Sequence, residues 1–271
     1  MLNLLLQPIN TNTLFLVIGI VAVIAVVFAV LIVLVSKLCF VEEDEKAKAV
    51  SENLAGANCG GCGFAGCADF AKALASGKAE LNCCGATDND SKQKIADILG
   101  IPFTASAEVF AVVKCAGGIN AKNKFEYIGN KGCNNQILVM GGAKLCKDGC
   151  LGDGSCASAC LNDGIKIVDG VPTTDKALCS ACGACVNKCP KNLIELIPKT
   201  AVVFVACSSK CKGKDVMNAC TVGCIGCGLC AKNCPNGAIT MVDNLPVIDY
   251  QMCTGCKVCV SKCPRKTIKE I

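Results

Sequence analysis

The sequence has no histidine and no tryptophan, and its aromatic complement is two tyrosines and nine phenylalanines in 271 residues. Without histidine there is no His-ligated haem, no Cys₂His₂ finger and no imidazole acid–base catalyst. So few rings cannot build stacking platforms for single-stranded nucleic acid. Lysine and arginine are missing from the first thirteen positions, and charged side chains are missing from Leu14 to Val35. The first absence argues against a secretory signal peptide, which needs a basic leading region and a shorter apolar run. The second predicts a membrane-spanning helix over residues 14–36, after a short non-cytoplasmic N-terminus of residues 1–13. Twenty-two apolar residues rising 1.5 Å each span about 33 Å, enough for the hydrocarbon core. Lys37, the first basic residue, places the remainder on the cytoplasmic side of the cell (inner) membrane. The span offers no ionisable group and hence no ion pathway. A dinucleotide fingerprint in strand–turn–helix context is also lacking, so no nicotinamide site and no catalytic residue are assigned.

What is abundant is cysteine, 27 residues in all. Secreted disulfide scaffolds are usually short chains, whereas here the thiols fall in tight i, i+3 groups that rarely pair with one another. Such groups fit metal or iron–sulfur ligation in a reducing compartment. The formal charge of +5 counts every thiol as neutral. A 4Fe–4S core on four thiolates carries about −2, so five or six would add roughly −10 to −12 and leave the loaded protein acidic. That balance excludes a nucleic-acid partner recognised through positive charge.

After the span, EEDEKAKAVS at residues 42–51 is expected to be a short solvated helix or linker without an apolar face. A four-cysteine module is placed at residues 37–110. It has the spacing Cys59-x₂-Cys62-x₄-Cys67, a helical stretch from Ala68 to Ala75, and then Cys83 and Cys84. One of the last two is the fourth ligand of a 4Fe–4S site, with Cys84 preferred; a Cys₄ zinc site has the same spacing requirements.

Further on, CIGCGLCAKNCP spells C-x₂-C-x₂-C-x₃-C-P, and a second such run begins at Cys253. This is the bacterial ferredoxin run, in which the fourth cysteine serves the other cluster. Cys224, Cys227, Cys230 and Cys263 are expected to hold one cluster, and Cys253, Cys256, Cys259 and Cys234 its neighbour. The intervening residues Ala238 to Tyr250 predict a β-hairpin turning at Asp243-Asn244.

A shift of 74 positions carries nine earlier cysteines onto later ones without a gap, from Cys133 on Cys207 to Cys189 on Cys263. The C-terminal part is therefore a tandem duplication, with modules at residues 111–198 and 199–271. Asp153 stands where the second copy has Cys227, and Cys146 is the expected substitute. Cys146, Cys150, Cys156 and Cys189 then form one site, and Cys179, Cys182, Cys185 and Cys160 the next. That makes five clusters on twenty cysteines. A sixth would draw four ligands from Cys115, Cys133, Cys207, Cys211 and Cys220. Cys39 is expected to be an apolar filler at the membrane edge. The fold class is α+β: one transmembrane helix, a small helical module, and two ferredoxin-like modules of short hairpins and helices.

An N-terminal anchor, then C-x₂-C-x₄-C with a distant fourth cysteine, then paired ferredoxin runs, resembles the B component of the Rnf complexes over nearly the whole chain. The resemblance implies a membrane assembly that couples ferredoxin:NAD⁺ oxidoreduction to Na⁺ or H⁺ transport. In it, this component takes electrons from reduced ferredoxin and passes them to other subunits. Lys188, Lys191, Lys212, Lys214, Lys232, Lys257, Lys262, Arg265 and Lys266 surround the motifs and could steer an acidic ferredoxin, or equally form a solvated face. Two other readings stay open at this point. One is a polyferredoxin-like subunit of a hydrogenase or formate dehydrogenase, and the other is a structural zinc protein.

Overall fold

The computed structural model describes residues 11–38, 44–105 and 107–271; Cys39 lies outside them. The chain divides into two units, residues 1–44 and 45–271.

In the first unit, α1 runs Thr11–Leu38. Its stretch Phe15–Val35 is long and apolar enough to cross a membrane, and protein covers none of it. A bare apolar cylinder of this kind is tolerated in lipid, where the helix satisfies its own backbone polar groups, and is unfavourable in water.

The second unit begins with three helices, α2 (Glu45–Asn53), α3 (Cys67–Ala75) and α4 (Asn89–Leu99). Of the expected short solvated helix or linker, the structure forms the helix, but the absence of an apolar face is corrected here. Ala47, Val50 and Leu54 recur at helical spacing and are buried, with Val50 wholly enclosed. Val50 and Leu54 pack with Phe70, Leu74, Leu81 and Ile95 into one small core. Four lysine and glutamate side chains among nine residues had masked that stripe. Asp88 caps α4 by accepting from the Ser91 N–H at 2.9 Å.

The first ferredoxin-like half contains β1 (Val109–Val113), α5 (Cys133–Leu138), α6 (Ser155–Ser158), β2 (Ile165–Val168), β3 (Val171–Thr174), α7 (Ala184–Lys188) and β4 (Ile194–Pro198). The second contains β5 (Val203–Val205), α8 (Gly213–Ala219), α9 (Leu229–Lys232), β6 (Ile239–Val242), β7 (Leu245–Ile248), α10 (Val258–Lys262) and β8 (Ile268–Glu270). Each half has a central antiparallel hairpin, β2–β3 or β6–β7. Its outer strands, β1–β4 or β5–β8, also pair antiparallel. The second hairpin turns at Asp243-Asn244 with φ of 49° and 65°, the left-handed pair that a type I′ turn requires.

Strand pairing revises the register of the duplication. β4 and β8 obey the 74-residue shift, but the cysteines that follow β1 and β5 are Cys115 and Cys207, 92 positions apart. The structural counterpart of Cys207 is Cys115, and Cys133 belongs to an 18-residue insertion in the first half. The two halves meet reciprocally. The Ala116 N–H donates to the Ala206 carbonyl at 3.0 Å, and the hydroxyl of Ser208, counterpart of Ala116, donates to the carbonyl of Lys114, counterpart of Ala206, at 2.9 Å. Contacts that exchange partners in this way mark an approximate two-fold axis.

Candidate metal centres

Short helices entered through left-handed residues turn thiols inward. Gly228 before α9 has φ 69° and Lys257 before α10 has φ 59°, so Cys230 and Cys259 face the core and are buried. One cavity is lined by Cys224, Cys227, Cys230 and Cys263. Another is lined by Cys234, Cys253, Cys256 and Cys259. The structure therefore brings together both groups expected from the ferredoxin runs.

In the first half the grouping differs from expectation. A cavity is lined by Cys150, Cys156, Cys189 and Cys133, not Cys146. The insertion returns to the site at Cys133, whose N–H donates to Ser155 Oγ at 2.8 Å, and so fills the vacancy that Asp153 creates. The Asp153 carboxylate instead accepts from Gln136 Nε2 at 2.9 Å. The Cys146–Gly149 turn points Cys146 the other way. There, with Cys115, Cys207 and Cys220, it lines a fourth cavity on the axis between the halves. Cys211 does not line it.

Cys160, Cys179 and Cys185 pack around one cluster of apolar side chains, and Cys182 lies close enough to act on Cys185 electrostatically. In the helical module Cys84 is buried, with Cys62 and Cys67 packed against the same core, while Cys83 is exposed. Asn58 Oδ1 accepts from the Cys67 N–H at 2.8 Å and Thr87 Oγ1 lies 3.3 Å from Cys84 Sγ, fixing both ends of this loop pair. The module meets the next site edge to edge: the Cys59 and Cys182 thiols are neighbours. A Cβ on Gly61 would collide with the Cys182 carbonyl, and one on Gly85 with the Ala181 carbonyl.

The donor set fits iron–sulfur clusters. Among the described residues no three Cys, Asp or Glu side chains converge on a single metal ion. The thiols surround voids instead, as a multi-atom core demands and a Cys₄ zinc ion does not. A methyl group added at Gly117 would project into the axial cavity, 3.4 Å from Cys115 Sγ and 3.8 Å from Cys220 Sγ. Burial, reinforced by neighbouring thiols, pushes Cys150 and Cys185 up to about 12, and Cys156 and Cys207 up to about 11. Backbone N–H groups of Gly152, Val186 and Ala157 oppose the shift at Cys150, Cys185 and Cys156. Cys263 is the exception: burial raises it, but N–H groups of Thr267, Ile268 and Arg265 outweigh burial and lower it. Thiols with raised values stay neutral until a cation displaces their protons, and the same amides then donate to the bound sulfurs.

With this geometry in hand, sequence comparison is decisive. Over 255 residues, 93% of this chain and 74% of the relative, the protein is 37% identical to the B component of the Na⁺-translocating ferredoxin:NAD⁺ oxidoreductase complex of Acetobacterium woodii. The chain belongs to the family of B components of Rnf-type ion-translocating oxidoreductase complexes. Two further relatives agree. The B component of the ion-translocating oxidoreductase complex of Methanosarcina acetivorans is 37% identical over 226 residues, 83% of this chain and 86% of the relative. The B component of the proton-translocating ferredoxin:NAD⁺ oxidoreductase complex of Clostridium ljungdahlii is 37% identical over 245 residues, 89% and 86% respectively. Family models for an Fe-S cluster, a 4Fe-4S binding domain and a 4Fe-4S dicluster domain match residues 54–85, 172–195 and 223–267. This member of the family is thus an iron–sulfur electron-transfer subunit of a membrane-associated, multi-subunit oxidoreductase complex.

Proposed function

We propose that this subunit accepts electrons from reduced ferredoxin and relays them, through six 4Fe–4S sites in a single file, to other subunits of a complex coupling ferredoxin:NAD⁺ oxidoreduction to Na⁺ or H⁺ transport. A 4Fe–4S cluster supplies one-electron redox chemistry, and the chain supplies spacing, burial and hydrogen bonds. The observation that carries the reading is the axial cavity. Cys150 N–H donates to Cys115 Sγ at 3.4 Å, and Cys224 N–H donates to Cys207 Sγ at 3.4 Å. Each flanking site thus touches the axial site through a hydrogen bond from the backbone of one of its own cysteines to a sulfur of the axial wall. Cys59 and Cys182 join the helical module to one end, and the shared core of Cys230 and Cys259 joins the last two sites at the other. The order is Cys59/62/67/84, Cys160/179/182/185, Cys133/150/156/189, Cys115/146/207/220, Cys224/227/230/263 and Cys234/253/256/259.

Ferredoxin docking is assigned to the exposed lysines Lys188, Lys212, Lys214, Lys232, Lys262 and Lys266. Lys257 pairs with Glu270 instead. Ion transport and NAD⁺ chemistry are assigned to partner chains, because α1 carries no ionisable side chain between Phe15 and Val35. The cluster-bearing unit is assigned to the cytoplasmic side of the inner membrane, where thiols stay reduced.

Iron and acid-labile sulfide per chain, measured on protein purified without oxygen, test the reading. About 24 irons are expected for six clusters; about 20 would remove the axial site, and none would end the relay. Ferredoxin-dependent reduction should slow steeply with added salt, and a flat dependence would sink the docking assignment.

A further inference from the structure

The cation after each Cys-Pro pair occupies equivalent places in the two halves. Lys191 follows Cys189-Pro190, and Arg265 follows Cys263-Pro264, 74 positions on. Lys191 lines the cavity of Cys133, Cys150, Cys156 and Cys189, and Arg265 lines that of Cys224, Cys227, Cys230 and Cys263. Both end on backbone carbonyls. Lys191 Nζ donates to the Lys147 carbonyl at 2.6 Å. Arg265 Nη2 donates to the Cys220 carbonyl at 2.7 Å and its Nε to the Gly223 carbonyl at 3.4 Å. Their acceptors sit on residues 146–149 and 220–223, the two turns that present Cys146 and Cys220 to the axial cavity. Thr267 Oγ1 adds a bond to the Val222 carbonyl at 3.0 Å on the Arg265 side.

We propose that Lys191 and Arg265 are a symmetry-related pair of positioning cations. Each stands between the axial site and one flanking site, holds the turn that carries an axial thiol, and places a fixed positive charge between two neighbouring redox centres. The inference rests on the six-site reading above. A 4Fe–4S core on four thiolates is negative, and reduction makes it more so. A cation held beside two such centres favours the reduced form of both, and it screens the repulsion an electron meets in passing from one to the next. A further ionic group on this wall is Asp148. Its Oδ2 is buried without a hydrogen-bond partner in the axial cavity, and its field acts on Lys191. Lys124 acts on Lys191 with the opposite sign. Val222 replaces Asp148 on the Arg265 side.

The test uses full-length protein with its clusters, comparing wild type with Arg265→Met, Lys191→Met and the charge-conserving Arg265→Lys and Lys191→Arg. Redox titration followed by electron paramagnetic resonance is the main readout, with iron content and thermal midpoint alongside. At fixed potential, each Met variant is expected to lower the reduced-to-oxidised ratio of the axial centre and of its own flanking centre about tenfold, equivalent to about 59 mV for one electron. The charge-conserving variants should restore both, and the other four centres should not move. Selective loss of axial iron in a Met variant, restored by the charge-conserving one, also supports the proposal. Unmoved potentials with only a lowered thermal midpoint would overturn it, as would a uniform shift of all centres. Cys115→Ser distinguishes the two levels of failure. If it removes no iron and no signal from the wild-type protein, the axial centre does not exist and the proposal falls with it; if it does remove them, only the variant results decide.

Discussion

At Asp153 one missing thiol reorganises a set of others. The second half places Cys227 there, and the first half recruits Cys133 from an insertion to line the same cavity. This releases Cys146, the counterpart of Cys220, for the axial cavity. The exchange yields a sharp expectation: Cys146→Ser and Cys133→Ser should each lose about four irons, from different centres, and the double variant about eight. Iron analysis with spectral comparison checks this, and identical spectra from the two single variants would contradict the assignment. The ferredoxin runs were legible in the sequence because their ligand order is local. The partner of Cys146 was not, since nearness to Cys150 along the chain suggested a shared site while the 146–149 turn separates them in space.

Among the elements, the hairpins were legible for the same local reason. Asp243-Asn244 and Asp169-Gly170 tolerate left-handed backbone between β-prone segments. The buried face of α2 was not, because Ala47, Val50 and, just past the helix, Leu54 were diluted by charge, and only a partner face makes them a core. The cap of α4 supports a stability prediction. Asp88→Ala should cost about 1 kcal/mol. The Ser91 backbone N–H holds the Asp88 carboxyl below its usual range. A lowered carboxyl stabilises the fold at pH values above its unfolded pKa and loses that contribution only as pH falls through its folded value. The difference between wild type and variant in denaturant unfolding should therefore stay constant from about pH 8 to pH 5; a difference that shrinks within that window would contradict the cap. Close approach at Gly61 gives a second prediction. Gly61→Ala should push the helical module off the Cys182 carbonyl, leaving iron content unchanged but weakening magnetic coupling between the neighbouring clusters of Cys59 and Cys182. Unaltered coupling would show that the seam does not set their distance.

For the molecule as a whole, the two units make separable contributions. Removing residues 1–44 should move the protein from the membrane to the soluble fraction with the same iron per chain, as fractionation and metal analysis would show. Loss of iron on truncation would mean that the anchor region helps to build the clusters. The number of repeats was visible in the ungapped 74-residue shift. Their true starting points were not, because the 18-residue insertion separates Cys115 from the block that aligns. Only the pairing of β1 with β4 and of β5 with β8 reveals the equivalence.

The reciprocal contacts between the halves also set how the axial cavity is shared. Cys115 and Cys146 come from one copy and Cys207 and Cys220 from its counterpart positions in the other. Each module contributes two thiols, and neither module alone could line the cavity. On that equivalence the axial cavity needs no separate invention: two thiols in one module, once duplicated and turned about the seam, supply all four of its cysteines.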